Sequence, residues 1–293
     1  MSGSVFIGLV THPRTRFPEA SGPTGLAELL TRELMSLGWS TQLSVIADDR
    51  VDSSILTLTQ SSIAKSVKFE MQIERDWSDF QLQGARDWKQ HFWLQLRERY
   101  RLAKSRVPTN SAREAARRQI IRLANIEKAH LTLLAEGEKS GAEWVLILED
   151  DAVNSDVAEL SRDLNRNLRL WSDEPQPAYV NLSRSFALDQ LQHGGALTNQ
   201  GVWSHNSRVL SSTIPFTNTV CAVLYRKEFL RELNQELQGI PLEPIVPIDW
   251  KINLAIMRLS RKDRLTKGAC YTIDPAPIVQ GSMLKTGNFT NAG

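Results

Sequence analysis

Short apolar runs alternate with helical periodicity along this chain. Residues 5–10, VFIGLV, read as a buried strand that breaks at THPRTRFPEASGPTG, a Pro-, Gly- and Ser-rich loop carrying Arg14 and Arg16. Leu26, Leu29, Leu30, Leu34 and Leu37 then recur at helical spacing until Gly38, placed as a C-terminal cap. Residues 41–49, TQLSVIADD, read as a second strand. Strand, loop, helix and strand make a βαβ opening, which predicts a parallel sheet.

Residues 50–110 break this rhythm. They lack strong strand runs and read as mostly helical, with Trp88, Phe92, Leu96 and Tyr100 lining one helical face. Arg97, Arg99, Arg101, Lys104 and Arg106 make the end of the segment basic. That is either a solvated face or a surface for an anionic acceptor or membrane headgroups. Pro108 ends it, and Ser111 with Glu114 forms a capping box for a helix running to about residue 138. Ala116, Ile120, Leu123, Leu131 and Leu134 are its expected core positions, and Gly141 closes the turn that follows.

Residues 144–152, WVLILEDDA, change the picture from fold to chemistry. Five apolar residues run straight into Glu149, Asp150 and Asp151. The run predicts a strand buried on both faces, with acids at the end where open α/β sheets bind ligands. Adjacent carboxylates repel one another and are costly to desolvate, so a cation is the expected partner. Mg²⁺ and Mn²⁺ suit such hard oxygen ligands. An acidic turn facing solvent is the plain alternative.

Downstream, residues 153–171 read as an amphipathic helix and 178–183 as a strand. The polar stretch 183–212 reads as a long functional or disordered loop, with His193 and His205 exposed in it. A strand at 217–226, a helix of sequence KEFLRELNQEL, and a helix of sequence IDWKINLAIMRLS follow; Asp249 is placed at the N-cap of the second helix. Residues 270–282 close as a short strand and a turn-rich tail.

Bulk properties narrow the function classes. Of the 293 residues 41% are hydrophobic and 23% charged, ordinary for a soluble globular protein. A net charge of +2 argues against non-specific nucleic-acid binding. Cys221 and Cys270 lie in apolar contexts and read as buried free thiols, although two cysteines can pair. No run is long enough to span a bilayer and no signal peptide is evident, so a cytoplasmic protein is expected.

The ordered set AHLTLL (129–134), WVLILEDDA (144–152), TVCAVLYRKEFLREL (219–233), PID (247–249) and PIVQ (277–280) resembles glycosyltransferase family 25, the lipooligosaccharide and collagen galactosyltransferase relatives. The match is best over residues 113–282. It departs where Ala129-His130 replaces the family's Ser-His, and in segment 50–110, which has no counterpart. The resemblance implies a single GT-A-type domain over residues 1–293: a Rossmann-like mixed α/β sheet flanked by helices, with 50–110 as a helical, aromatic-rich insertion. It implies transfer of galactose or glucose from a nucleotide sugar, expected to be UDP-linked, to a hydroxyl of a glycan or glycolipid, with inversion, in polysaccharide biosynthesis.

By the same resemblance Asp151 and Glu149 hold Mn²⁺ or Mg²⁺, and Asp150 faces the donor sugar. Asp249 is the general base, or alternatively a plain helix cap. Thr11, Arg14 and Arg16 flank the nucleotide, with Gln280, Ser282 and Lys285 closing over the diphosphate. His130 contacts the donor or serves as a core histidine bonded to backbone. Peripheral contact with the inner face of a membrane fits the basic segment. The competing class is a non-catalytic nucleotide-sugar-binding or assembly protein on the same scaffold.

Overall fold

The computed structural model describes residues 3–11, 22–48, 64–70, 109–184, 197–213, 215, 219–240 and 247–281. Strand β1 (Ser4–Thr11), helix α1 (Gly22–Ser36) and strand β2 (Ser40–Asp48) form the expected βαβ opening, with β1 and β2 parallel. Strand β3 (Ala64–Glu70) adds in parallel to β2. The sequence reading had this part of segment 50–110 as mostly helical. Its Ala-Lys-Ser-Val-Lys-Phe-Glu pattern has few apolar residues, as suits a strand at a sheet edge.

Helix α2 (Thr109–Ser140) leads through Gly141, at φ +78°, into strand β4 (Trp144–Glu149). That left-handed backbone is cheap only for glycine, so the turn returning the chain to the sheet is set by one residue. Beyond β4 come β5 (Ala152–Val153), helix α3 (Val157–Ser172), and the short strands β6 (Tyr179–Asn181) and β7 (Ser183–Arg184). Strands β8 (Thr198–Ser204) and β9 (Ser207–Ser212) precede β10 (Ala222–Arg226). Helices α4 (Lys227–Gln238) and α5 (Ile248–Arg261) and strands β11 (Cys270–Asp274) and β12 (Ile278–Gln280) complete the order.

Nine strands form one mixed sheet in the order β3-β2-β1-β4-β10-β6-β11-β9-β8. β4 is parallel to β1, whereas β10 runs antiparallel between β4 and β6. A small second sheet, β5-β12-β7, sits beyond the end of β4. This is a mixed α/β architecture with helices on both faces.

β4 is the central strand, and its alternation explains the two layers. Trp144, Leu146 and Leu148 join the core under α1 and α3, with Leu30, Leu34, Leu164 and Leu168. Val145 and Ile147 join the opposite core under α2, α4 and α5, with Leu133, Leu230, Ile252 and Ile256. Burial of both faces is why the strand reads as unbroken apolar sequence. On the α3 side, Trp171 centres an aromatic cluster, with ring centroids 6.2 Å from Trp144, 6.0 Å from Trp203 and 5.8 Å from Tyr271.

The polar stretch expected to be a loop is partly sheet. Residues 198–212 form the β8–β9 hairpin, turning at His205 and Asn206, and β9 pairs with β11. Thr198 to Val202 are exposed edge positions, so the strand lacks the apolar alternation that would announce it. His205 is exposed, as expected, and His193 lies outside the described residues. Cys221 and Cys270 are buried free thiols.

Candidate active site

The acids after β4 are anchored through their backbone from three directions. Glu149 N–H donates to the Cys221 carbonyl at 2.8 Å, and Asp150 N–H to the Val10 carbonyl at 2.9 Å. Gly281 N–H donates to the Asp151 carbonyl at 2.6 Å. The end of β1, the residue before β10 and the residue after β12 therefore converge on the triplet. Asp151 is buried and Glu149 and Asp150 are half-buried, so this is no solvated acidic turn.

Two of the carboxylates, Glu149 and Asp151, meet side chains brought by different elements. His130, near the middle of α2 and only 1% exposed, places Nε2 3.0 Å from Glu149 Oε1. With Nε2–H donating, its buried Nδ1 has no hydrogen-bond partner among the described residues. On the other side, the Cys221 thiol donates to Asp151 Oδ1 at 3.3 Å. Burial first, and then the charges of Asp151, Glu149 and Asp150, push that thiol well above its ordinary range, which keeps the proton on sulfur.

Asp249 approaches from α5. Pro247, not Asp249, is the N-cap residue, and its carbonyl accepts from Trp250 N–H at 3.1 Å and Lys251 N–H at 3.2 Å. Asp249 is the second residue of the helix and is buried, its carboxyl close to two backbone N–H groups, its own and that of Trp250. Burial, reinforced by the negative charge of Glu149, raises its carboxyl to about 6; the two backbone N–H groups and His130 oppose the rise. The plain-cap expectation placed Asp249 two positions too early, because Pro247 already caps the helix.

Ligand atoms of Glu149, Asp151 and Cys221 all lie within 4.8 Å of one another. Two carboxylates are the hard donors that Mn²⁺ or Mg²⁺ takes, and a protonated thiol is a poor ligand for either. The donor set therefore fits a hard divalent cation on Glu149 and Asp151, with Cys221 as a hydrogen-bond donor beside it.

Among the other expected site residues, Thr11 ends β1 one position past the Val10–Glu149 pair, buried, with a hydroxyl that has no partner among the described residues. Gln280 ends β12 opposite Ala152, next to the triplet. Arg14, Arg16, Ser282 and Lys285 lie outside the described residues, as does most of segment 50–110.

Sequence reasoning missed three residues here. Cys221 was read only as a buried thiol; its place beside Asp151 follows from the antiparallel pairing of β10 with β4, which no local pattern shows. Glu127 and Lys251 form a buried ion pair between α2 and α5, with Nζ 2.6 Å and 2.7 Å from the two carboxylate oxygens. The available hint was that Glu127 lies three residues before His130, on the same helical face.

A groove of about 450 Å³ between α2 and α4, lined by Leu131, Ala135, Asn234, Leu237 and Ile240, lies toward the end of α2 that precedes β4. The acids follow β4, at its opposite end.

No family model and no curated protein matches the chain. Among solved structures it is similar to CMP:2-keto-3-deoxy-manno-octonic acid synthetase complexed with CTP, at 11% identity and TM-score 0.38, over 95% of this chain and 88% of that one. It is also similar to mannose-1-phosphate geranyltransferase from Thermus thermophilus, at 10% identity and TM-score 0.42, over 94% and 74%. Likenesses at these scores carry no argument about chemistry, which rests on the site itself.

Proposed function

We propose that this chain is a metal-dependent glycosyltransferase that moves a hexose, galactose or glucose, from a UDP-linked donor to a hydroxyl of a glycan or glycolipid, with inversion. The observation that carries the reading is the convergence of Glu149, Asp151 and His130 at the C-terminal end of the central strand, with Asp249 near enough to feel the charges of Glu149 and His130. Open α/β sheets bind ligands at that end.

Glu149 and Asp151 would hold Mn²⁺ or Mg²⁺, which would supply Lewis-acid stabilisation to a departing diphosphate. The chain's own residues do the rest. His130 fixes the Glu149 carboxylate, as an outer hydrogen-bond partner fixes a metal ligand. Cys221 S–H orients Asp151. Asp150, Thr11 and Gln280, with Arg14, Arg16, Ser282 and Lys285, supply donor contacts.

Asp249 accepts the proton of the acceptor hydroxyl as its oxygen bonds the anomeric carbon and the sugar–phosphate bond breaks. A carboxyl near 6 is ionised at neutral pH yet more basic than an ordinary aspartate, which suits a general base. One base and no dedicated nucleophile fit a single displacement with inversion.

The test is Asp151→Ala in the full chain, with thermal shift by UDP-galactose and UDP-glucose with and without Mn²⁺ and release of UDP as readouts. The wild type should show metal-dependent stabilisation and slow UDP release, and the variant neither, while keeping its melting cooperativity. Equal behaviour of the two proteins overturns the metal assignment. Binding without UDP release, even with candidate acceptors, favours a non-catalytic nucleotide-sugar-binding protein.

A further inference from the structure

Cys221 brings a different kind of donor atom to the acid triplet. Its Sγ stands 3.3 Å from Asp151 Oδ1, and one ligand atom each of Glu149, Asp151 and Cys221 lie within 4.8 Å of one another. The sheet sets these residues side by side. Glu149 ends β4, and Cys221 directly precedes β10, whose first residue, Ala222, pairs with Leu148. Glu149 N–H donates to the Cys221 carbonyl at 2.8 Å, which ties the two backbones together.

Carboxylate oxygens alone suit Mn²⁺ or Mg²⁺, and the thiol then remains a hydrogen-bond donor. Two oxygens and one sulfur suit a softer ion. Zn²⁺ takes sulfur at about 2.3 Å and carboxylate oxygen at about 2.0–2.2 Å. Two such bonds meeting at roughly 90–110° put sulfur and oxygen about 3.0–3.7 Å apart. The 3.3 Å between Cys221 and Asp151 lies inside that window, so one ion can bind both without moving either backbone. The Glu149 side chain is 19% exposed, whereas Cys221 is fully buried. A cation thus arrives on the carboxylates, and one that favours sulfur goes on to engage Cys221.

We propose that Cys221 determines the specificity of this metal site: Mn²⁺ and Mg²⁺ bind through Glu149 and Asp151, whereas Zn²⁺ and Co²⁺ also take the Cys221 sulfur as a ligand. Binding through sulfur releases one thiol proton to solvent. The added ligand strengthens Zn²⁺ as a competitor of Mn²⁺, so the site is zinc-sensitive through Cys221. The proposal rests on the metal assignment made above and holds whatever sugar is transferred.

The experiment compares the full-length wild type with Cys221→Ser, which keeps a hydroxyl donor for Asp151, and with Cys270→Ser. The second variant leaves Cys221 as the sole thiol of the chain, so it identifies the ligand without any change at position 221. Electron paramagnetic resonance of free Mn²⁺ gives the Mn²⁺ affinity, and its release by added Zn²⁺ gives the preference between the two ions. Ultraviolet absorption during a Co²⁺ titration reads sulfur ligation directly, because thiolate gives a charge-transfer band that oxygen ligands do not. The band should form in the wild type and in Cys270→Ser and be absent from Cys221→Ser. Losing a direct ligand costs at least what losing an outer partner does, so the Zn²⁺ preference should fall by about tenfold or more in Cys221→Ser while Mn²⁺ affinity stays within about threefold. A wild type that binds Mn²⁺ but gives no sulfur band, or a Zn²⁺ preference unchanged in Cys221→Ser, overturns Cys221 as a ligand and leaves the carboxylate site standing. A band lost in Cys270→Ser and kept in Cys221→Ser also overturns it. A sulfur band without Mn²⁺ binding leaves the ligand standing and overturns the Mn²⁺ or Mg²⁺ reading instead.

Discussion

The ammonium of Lys251 sits 2.6 Å and 2.7 Å from the two carboxylate oxygens of Glu127, and both side chains are only 4% exposed. The pair joins α2, which carries His130, to α5, which carries Asp249. A buried ion pair repays little of its desolvation cost, but removing one partner strands the other charge. Lys251→Met should therefore destabilise by about 3–5 kcal/mol, and Glu127→Met similarly, whereas the double variant should lose far less than their sum. Urea unfolding of the four proteins checks this. Additive losses would show that the pair is not coupled.

The carboxyl of Asp249, raised by burial from 3.8 to about 6, makes stability depend on pH. The folded chain holds this proton more tightly than the unfolded one. Its contribution is thus fully present below about pH 4 and is lost as pH rises through about 6. Asp249→Asn, which keeps an oxygen for the backbone N–H groups, should then be more stable than wild type at pH 8 by on the order of 2–3 kcal/mol. At pH 4 the two should match. Metal-free urea titrations at the two pH values test the sign, and a wild type that is the more stable protein at pH 8 refutes it.

The parts of this molecule that were legible in the sequence are those where one local pattern determines one structure. β4 announced itself because both its faces are buried, and α2 because a periodic apolar stripe meets the sheet. β3 and the β8–β9 hairpin did not, because edge strands replace apolar alternation with polar residues. In the site, the acid triplet stood out as a run of charges after an apolar strand. The contacts around it that were missed, Cys221 with Asp151 and Lys251 with Glu127, join residues 70 and 124 positions apart, and no local pattern links those partners. Asp249 was legible as a residue of the helix start but misplaced by two positions, since a proline N-cap was not weighed.

His130 donates to Glu149 from a site with almost no solvent access. Removing the outer partner of a metal ligand typically costs 10–100-fold in metal affinity. His130→Phe should therefore weaken Mn²⁺ binding by about that factor, and His130→Gln should restore part of it by supplying an amide donor. Electron paramagnetic resonance of free Mn²⁺ during a titration reads the affinity directly. Unchanged affinity in His130→Phe would reduce His130 to a core residue with no hold on the cation.

Gly137 allows α2 to lie close against β4 and β1. A Cβ at this position would stand 2.6 Å and 2.9 Å from the two γ-methyls of Val145 and 3.3 Å from Phe6 Cδ1. Two effects of Gly137→Ala oppose one another. Alanine gains about 0.8–1.0 kcal/mol of helix propensity, and overpacking a filled core costs about 1–3 kcal/mol. The contacted methyls belong to a β-branched side chain on a fully buried strand, which has little freedom to move. Overpacking should win, with a net loss of about 1–2 kcal/mol by the balance of those two terms. Val145→Ala removes both methyls in the way, so adding Gly137→Ala to that background should stabilise it, reversing the sign seen in the wild type. Denaturant midpoints of the two single variants and the double decide the point. A Gly137→Ala protein at least as stable as wild type would mean that the helix shifts freely on the sheet.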